Sequence, residues 1–510
     1  MAGLPGGSAS RRPALPDVAA RAPEPMLLVA GELRPASGGA VFPITNPATG
    51  CVIGSAPDAA GADTDAAIAA ARRAFDEGSW AADHRFRAHC LRQLKAALDS
   101  EYETLRDVTI AEAGAPRMWV DGPQLRLPID GLDYLIGLLE TYHWERNLGP
   151  AAPMGMRTSR RVYREPAGVV AAITPWNFPN QINLAKLGPA LAAGCTVVLK
   201  PAPDTPWTGA ELGRLIATGT DIPAGVVNVL TSSRAGPGRQ LTRDPRVDMI
   251  SFTGSTATGR DVMAAAAPTL KRIFLELGGK SAAVVLDDYD AAAAAALTAF
   301  TACIHAGQGC ALTTRLIVPR ARYDEAVSAA AHAMRGVTVG DPADPATVCG
   351  PVISAGQRDR VESYLASAAG DGGTFACGGG RVAGRTAGYW IEPTVICGLD
   401  NSARAAQEEI FGPVLVVLAH DGDADAVRIA NDSPYGLSGA VFSADSGRAR
   451  AVTARLRTGT VGINGGVWYA PDVPFGGYKQ SGTGREMGVP GFEEYLEIKA
   501  VAEPICAEPK

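Results

Sequence analysis

Residues 168–200 read GVVAAITPWNFPNQINLAKLGPALAAGCTVVLK. Gly168–Ile173 is a continuous apolar run of strand length, Ile182–Ala193 has helical character, and Thr196–Leu199 is a second apolar run. Strands buried on both faces lose the polar alternation of a half-exposed strand, so this order predicts a parallel βαβ unit. Between the first run and the helix lies Thr174-Pro175-Trp176-Asn177-Phe178-Pro179, where two prolines fix the main chain around one amide side chain. Such a turn suits an Asn that donates to an oxyanion without reorganising, and a rigid turn around a buried Trp explains it equally well.

Working outward, the same alternation continues. Val226–Leu230, Met249–Phe252 and Ile273–Leu275 are further apolar runs, and Thr208–Thr218 is a further helical segment. A doubly wound parallel sheet follows. Past Gly279 a second series begins, with strands expected at Ala282–Leu286, Arg315–Val318, Val414–Leu418 and Gly439–Phe442. Helices are expected at Arg322–Met334, Gln357–Ala369 and Ala424–Asn431, which makes two α/β units meeting near Leu277. Upstream, Leu27–Ile44 reads as short strands ending at the Asn46-Pro47-Ala48-Thr49-Gly50 turn. Two packing helices fill Asp63–Ala113 and a third spans Gln124–Tyr142. At the far end Tyr495–Val501 is β-prone and suits an edge strand of its own subunit or of another.

Bulk properties narrow the partners. With 510 residues, 46% of them hydrophobic, the chain suffices for about three domain-sized units. A net charge of −6 without a long basic run argues against nucleic acid or an anionic membrane surface. No apolar run approaches the roughly 20 residues of a membrane span. Residues 1–25, rich in Ala, Pro, Gly and Arg, read as a disordered tail; Arg11-Arg12 is followed by no apolar segment of the kind an export signal needs. Nine scattered cysteines without metal-type pairing fit a reduced, cytoplasmic protein with one functional thiol, and the six dispersed histidines suggest no metal site.

The chemistry points to one stretch. It opens with Leu275-Glu276-Leu277-Gly278-Gly279-Lys280 and closes with Gly307-Gln308-Gly309-Cys310. Glu276 is a potential base and Cys310 a potential nucleophile, joined by an alanine-rich segment, Ala291–His305, that reads as a buried helix. A GxGxxG fingerprint between strand and helix is absent. Phe252–Gly259 does follow a strand and should open a helix, whose N–H groups and Ser255 hydroxyl suit a phosphate or simply a cap. Lys200, at the carboxyl end of its strand, points into the crevice where open α/β sheets bind ligands.

Taken in order, Pro175–Pro179, Lys200, Gly254–Gly259, Leu275–Lys280, Cys310, Glu409-Ile410-Phe411-Gly412-Pro413 and Pro474-Phe475-Gly476-Gly477-Tyr478-Lys479 resemble the aldehyde dehydrogenase superfamily. The likeness runs from about Leu27 to the C-terminus. It implies an NAD- or NADP-dependent enzyme of the hydrolytic type. Cys310 would attack the aldehyde, the Asn177 amide and the Cys310 main-chain N–H would hold the oxyanion, and hydride loss would leave a thioester. Glu276 would activate the water that releases the acid, and Lys186 would help relay its proton. The resemblance places the cofactor along Ile173, Thr174, Pro175, Trp176, Lys200, Pro203, Gly254, Ser255, Leu277 and Gly278. Glu409 would hold the nicotinamide ribose, Phe411 would pack near the ring, and Lys200 would contact the adenosine ribose.

Several positions depart from the family pattern. Pro203 stands where many NAD-using members carry an acid, so it neither grips ribose hydroxyls nor repels a 2′-phosphate, and cofactor choice is open. His305 occupies a place where Asn is common, and a structural role is expected of it. Gly309 and Ala185 remove bulk, while Phe178, Ile182, Trp468, Tyr469 and Phe475 would wall the substrate tunnel, which suggests a bulky apolar aldehyde, aromatic or terpenoid-like. The family organisation implies a nucleotide-binding domain (26–145 and 164–277), a catalytic domain (278–478) and a small β oligomerisation element (146–163 and 479–510), in a homodimer or homotetramer. The rival readings are a CoA-acylating aldehyde dehydrogenase and a non-catalytic binding member. Glu276 argues against the first, and the intact Cys310, Glu276 and Asn177 against the second.

Overall fold

The structure, a computed structural model, describes residues 25–505. All but the last residue of the expected tail, 1–25, lies outside the described residues, as does Cys506. The runs around residues 168–200 form adjacent parallel strands, Val169–Ile173 and Thr196–Lys200, in register from Val169 opposite Thr196 to Ile173 opposite Lys200. The helix joining them, Pro179–Ala193, starts on proline, where the missing N–H leaves no bond unmade, and ends on Gly194 at φ +97°. Five parallel strands make the centre of an eight-stranded sheet. Their order is Val227–Val229, Thr196–Lys200, Val169–Ile173, Met249–Thr253, Arg272–Glu276, flanked by antiparallel edges Leu27–Arg34 and Gly482–Thr483. Successive strands are added toward one side of Val169–Ile173 and then, from Met249–Thr253 on, toward the other, so a crevice opens beyond the carboxyl ends of these two parallel strands.

The second series forms a seven-stranded sheet. Its parallel core orders Thr394–Cys397, Val414–His420, Thr313–Pro319, Ser281–Val285 and Gly439–Phe442. Three of its strands, Thr374–Cys377, Thr394–Cys397 and Gly462–Ile463, are absent from the sequence-based expectation. Each has two to four residues, too few for a periodic signal.

Two expectations are corrected. Asp63–Ala113 holds three helices, not two: Gly61–Glu77, His84–Ser100 and Tyr102–Ala113. The Ala291–His305 segment is not one helix. The helix ends at Thr301, and His305, Ala306 and Gly307 then take left-handed backbone angles of φ +47°, +54° and +74°. Alanine propensity favours helix throughout this segment, but the tertiary position of the cysteine loop overrides it.

The C-terminal strand, Leu496–Pro504, pairs within its own chain with Thr158–Pro166, which also pairs with Glu145–Ala151. The stretch 479–510 is divided, however. Gly482–Thr483 closes the edge of the first sheet, and Leu496–Pro504 belongs to the three-stranded one.

Candidate active site

The crevice between the two sheets holds a cavity of about 250 Å³. Cys310, Glu276 and Asn177, distant in sequence, all line it. Glu276 arrives at the carboxyl end of Arg272–Glu276, paired in register with Thr253, and its carbonyl accepts from Gly254 N–H at 3.1 Å. Asn177 sits in the proline-bounded turn, almost wholly buried. Its Nδ2 donates to the Gln308 carbonyl at 2.8 Å, tying the turn to the nucleophile loop. Two glycines make that loop possible. A Cβ on Gly279 would stand 2.5 Å from the Cys310 carbonyl oxygen, and one on Gly307, at φ +74°, would stand 2.0 Å from the Gly412 carbonyl oxygen.

The electrostatics are those of a dry pocket. Burial pushes the Glu276 carboxyl up to about 8; its contact with the Cys310 thiol pulls it down, Glu486 pushes it up and Lys186 pulls it down. Glu276 Oε1 has no hydrogen-bond partner among the described residues. Burial, and next the Glu276 charge, push the Cys310 thiol well above its ordinary value. At rest, then, the thiol is protonated, and a base beside it is required for attack.

Behind Glu276 lies a second charged group. Lys186 is fully buried, and its ammonium lies 3.1 Å from Glu486 Oε1, donates to Ser251 Oγ at 3.3 Å and stands 4.7 Å from the Phe274 ring centroid. Ser251 in turn bonds Tyr495 Oη at 2.9 Å. Sequence reasoning missed Glu486. It lies 210 residues from Glu276, and its neighbours carry no motif; main-chain bonds in both directions with Phe475 (2.7 and 2.6 Å) hold it in place.

Most of the expected cofactor residues meet at the cavity: Pro175, Trp176, Gly254, Ser255, Leu277, Gly278, Glu409 and Phe411. Ser255 caps the helix Thr256–Ala266, accepting from Thr258 N–H at 3.2 Å. Glu409, pushed up to about 7 by burial, accepts from Gly279 N–H at 2.9 Å through Oε1, and its Oε2 accepts from no described residue. Gly278 leaves room beside it, since a Cβ there would stand 2.6 Å from Oε2. Phe411 adopts φ +62° and meets Trp176 edge-on at 5.4 Å. Gln357 and Arg360 also line the cavity, unforeseen because Gln357–Ala369 reads as a plain packing helix.

Four expected cofactor residues do not line this cavity. Ile173 and Thr174 are taken up by the sheet: Thr174 N–H donates to the Lys200 carbonyl and its hydroxyl to Asn183 Oδ1 at 2.6 Å. Lys200 and exposed Pro203 stand at the end of the next strand. Burial lowers the Lys200 ammonium to about 8, and it donates to the Pro201 carbonyl.

A separate apolar cavity of about 340 Å³ runs between the helices Arg126–Thr141 and Pro179–Ala193. Tyr469 and Ala185 line it, with Leu127, Tyr134, Leu184 and Phe492 among the others. Of the expected tunnel walls, only Tyr469 lines this cavity. Trp468 stacks on Phe475 at 5.1 Å, Phe178 meets His305 edge-on at 5.6 Å, and Ile182 is buried. Gly309 lines neither cavity, and a Cβ there would stand 2.9 Å from the Leu312 Cγ.

Comparison with known proteins bears on the whole chain. A family model described as the aldehyde dehydrogenase family matches residues 34–501. A 3-succinoylsemialdehyde-pyridine dehydrogenase from a Pseudomonas species is 42% identical over 465 residues, covering 90% of this chain and 94% of that protein. The geranial dehydrogenase of Castellaniella defragrans is 41% identical over the same shares of each chain. Among solved structures, an aldehyde dehydrogenase of Mycobacterium tuberculosis complexed with NAD+ superposes with a TM-score of 0.90 at 42% identity, covering 94% of this chain and 98% of that one. A cysteine-to-alanine mutant of aldehyde dehydrogenase C from Pseudomonas syringae, complexed with NAD+ and octanal, gives 0.89 at 38% identity, covering 94% and 96%.

Proposed function

The chain belongs to the aldehyde dehydrogenase family, and on that premise we propose that it converts a bulky apolar aldehyde to the carboxylic acid through a thioester on Cys310. It oxidises aldehydes, with NAD or NADP as cofactor. The observation that carries the mechanism is the convergence of Cys310, Glu276 and Asn177 on one cavity at the sheet's switch point.

The crevice fits a dinucleotide. It lies outside the carboxyl ends of parallel strands, a capped helix starts at its rim, and Glu409 keeps an oxygen for ribose hydroxyls. Trp176 and Phe411 would flank the ring, and Lys200, one strand away, would meet the adenosine half. The cofactor supplies a hydride acceptor when bound.

The remaining steps belong to the chain's own groups. Glu276, against the thiol, takes the proton of Cys310 as Sγ bonds to the aldehyde carbon. The carbonyl oxygen becomes an alkoxide, held by the Asn177 N–H not given to Gln308 and by the Cys310 main-chain N–H. Glu276 hands that proton on toward Glu486 and Lys186. Once the carbon has been oxidised to the thioester, the ionised Glu276 deprotonates a water that attacks it. The C–S bond breaks, the acid leaves, and Lys186 with Glu486 carries the proton away.

The substrate class rests on the apolar cavity, where Ala185 leaves space that Tyr469 and Tyr134 bound with aromatic surface. The relatives named for geranial and crystallised with octanal agree with an extended hydrocarbon chain. Turnover of acetaldehyde, benzaldehyde and a long-chain aldehyde, each with NAD and NADP, tests this reading, and a clear preference for acetaldehyde overturns it. Free acid formed without CoA separates it from the acylating alternative. A reduced cytoplasmic setting is proposed from the unpaired cysteines among the described residues. A homo-oligomer is proposed from the exposed Leu148 and Ile498 on the three-stranded sheet. No helix among the described residues is long and apolar enough to cross a membrane.

A further inference from the structure

We propose that His305 is a positioning residue, whose imidazole holds the Asn177 turn against the nucleophile loop and so sets where the Asn177 amide stands relative to Cys310. The inference rests on the reading that Asn177 stabilises the oxyanion.

Three observations single out this side chain. It is completely buried, and neither ring nitrogen makes a hydrogen bond of good geometry among the described residues; the Asn177 main chain is the polar group near enough to meet it. A buried polar group left this way costs about 1–3 kcal/mol, so its persistence calls for a reason. Its backbone is left-handed, φ +47° and ψ +46°, a conformation rare for side-chain-bearing residues. The ring faces the proline-bounded turn: its centroid lies 5.6 Å from that of Phe178 at 81°, and the Asn177 main chain is close enough to act on its titration.

The surrounding bonds show what such a ring can do. Asn177 Nδ2 donates to the Gln308 carbonyl, and Gln308 donates from N and Nε2 to the His305 carbonyl at 3.1 and 3.0 Å. The amide is thus tied to the loop on its side-chain face, and the ring of the same loop stands against its main-chain face. One N–H of the amide is committed to Gln308, which leaves the other for an oxygen on the carbon bonded to Cys310. A turn fastened only through that amide could pivot about it. A second contact on the main chain removes the pivot. Burial keeps the imidazole neutral, with a pKa lowered to about 3, so it acts as a fixed donor–acceptor pair across the working pH range.

The test compares His305→Leu, His305→Asn, His305→Gln and Asn177→Ala in the full-length enzyme. Leu fills the volume without polar atoms. Asn tolerates the left-handed backbone and places its amide near the position of Nδ1, whereas Gln places it near Nε2. We expect His305→Leu to lower kcat at least about tenfold, with KM and the rate of Cys310 alkylation by iodoacetamide within about twofold of the parent. One of Asn and Gln should restore kcat to within about threefold. Parent-like turnover in His305→Leu overturns the inference, as does an alkylation rate that falls in step with kcat, which would mean that the ring only shapes the loop. Should His305→Leu fail to fold, Asn and Gln decide: equal, large losses in both overturn it. Asn177→Ala tests the underlying reading separately. Parent-like turnover there sinks the oxyanion assignment, whereas a loss of about 10²–10³ there beside normal His305 variants sinks the positioning role alone.

Discussion

Two buried charged regions lie side by side and are built on opposite terms. Around Lys186 every feature is answered: Glu486 pairs the ammonium, Ser251 and Tyr495 extend the bonds, and Phe274 offers its ring face. Around Glu276 and Cys310 little is answered. Glu276 Oε1 lacks a partner, and burial drives both groups toward their neutral forms. Unmet groups in a cavity are reactive ones, because a substrate or water can satisfy them only by entering. The contrast implies that changes in the first region cost stability as well as the proton relay, whereas changes in the second cost turnover with little loss of stability.

The largest effect should come from Cys310→Ala. Aldehyde oxidation should fall to background while the melting temperature stays the same or rises, since a buried thiol facing a carboxyl is removed; measurable turnover would break the comparison. Next is Glu276→Gln, for which we expect a loss of about 10²–10⁴ in the steady-state rate, with a pre-steady-state burst of reduced cofactor retained. In the parent enzyme the base works only when ionised. Burial holds its pKa above the ordinary carboxylate range, and acylation removes the Cys310 thiol that pulls it down. Deacylation should therefore climb about tenfold per pH unit below that raised value and level off above it. A parent profile flat from pH 6 to 9, measured on deacylation, would remove Glu276 from the role of base.

Lys186→Met sharpens the other half. It leaves Glu486 buried without its cation, and breaking such a pair costs about 3–5 kcal/mol, readable by denaturant unfolding. Lys186→Met with Glu486→Gln should recover most of that stability; no recovery would mean that the two do not act as a pair. The smallest effect concerns specificity. Ala185→Trp should shift kcat/KM from a long-chain aldehyde toward acetaldehyde by about 10–100-fold, the scale of filling an apolar pocket. An unchanged ratio would separate the apolar cavity from substrate binding.

Much of the central architecture was legible because its signals are local. A strand buried on both faces needs an unbroken apolar run, as at Val169–Ile173, and a rigid turn needs its prolines beside Asn177. The two- to four-residue strands gave no such signal, and alanine composition concealed the end of the helix at Thr301. Glu486 could not be found from its neighbours. Nor does a missing side chain reveal its surroundings: beside Gly309 stands the Leu312 side chain, three residues on.

The order of residues by itself determined the alternation of strands and helices, the positions of Cys310, Glu276 and Asn177 within motifs, and the family. Tertiary structure alone decided which distant groups meet. It paired Lys186 with Glu486 across 300 residues of chain, set the His305 ring against the Asn177 turn, and placed Ala185 rather than Gly309 on an apolar cavity. The physical reason is one of range. Propensity and burial pattern act over a few residues and are written along the chain. The partners of a buried charge, and the space beside a small residue, are fixed only when segments far apart are packed to interior density.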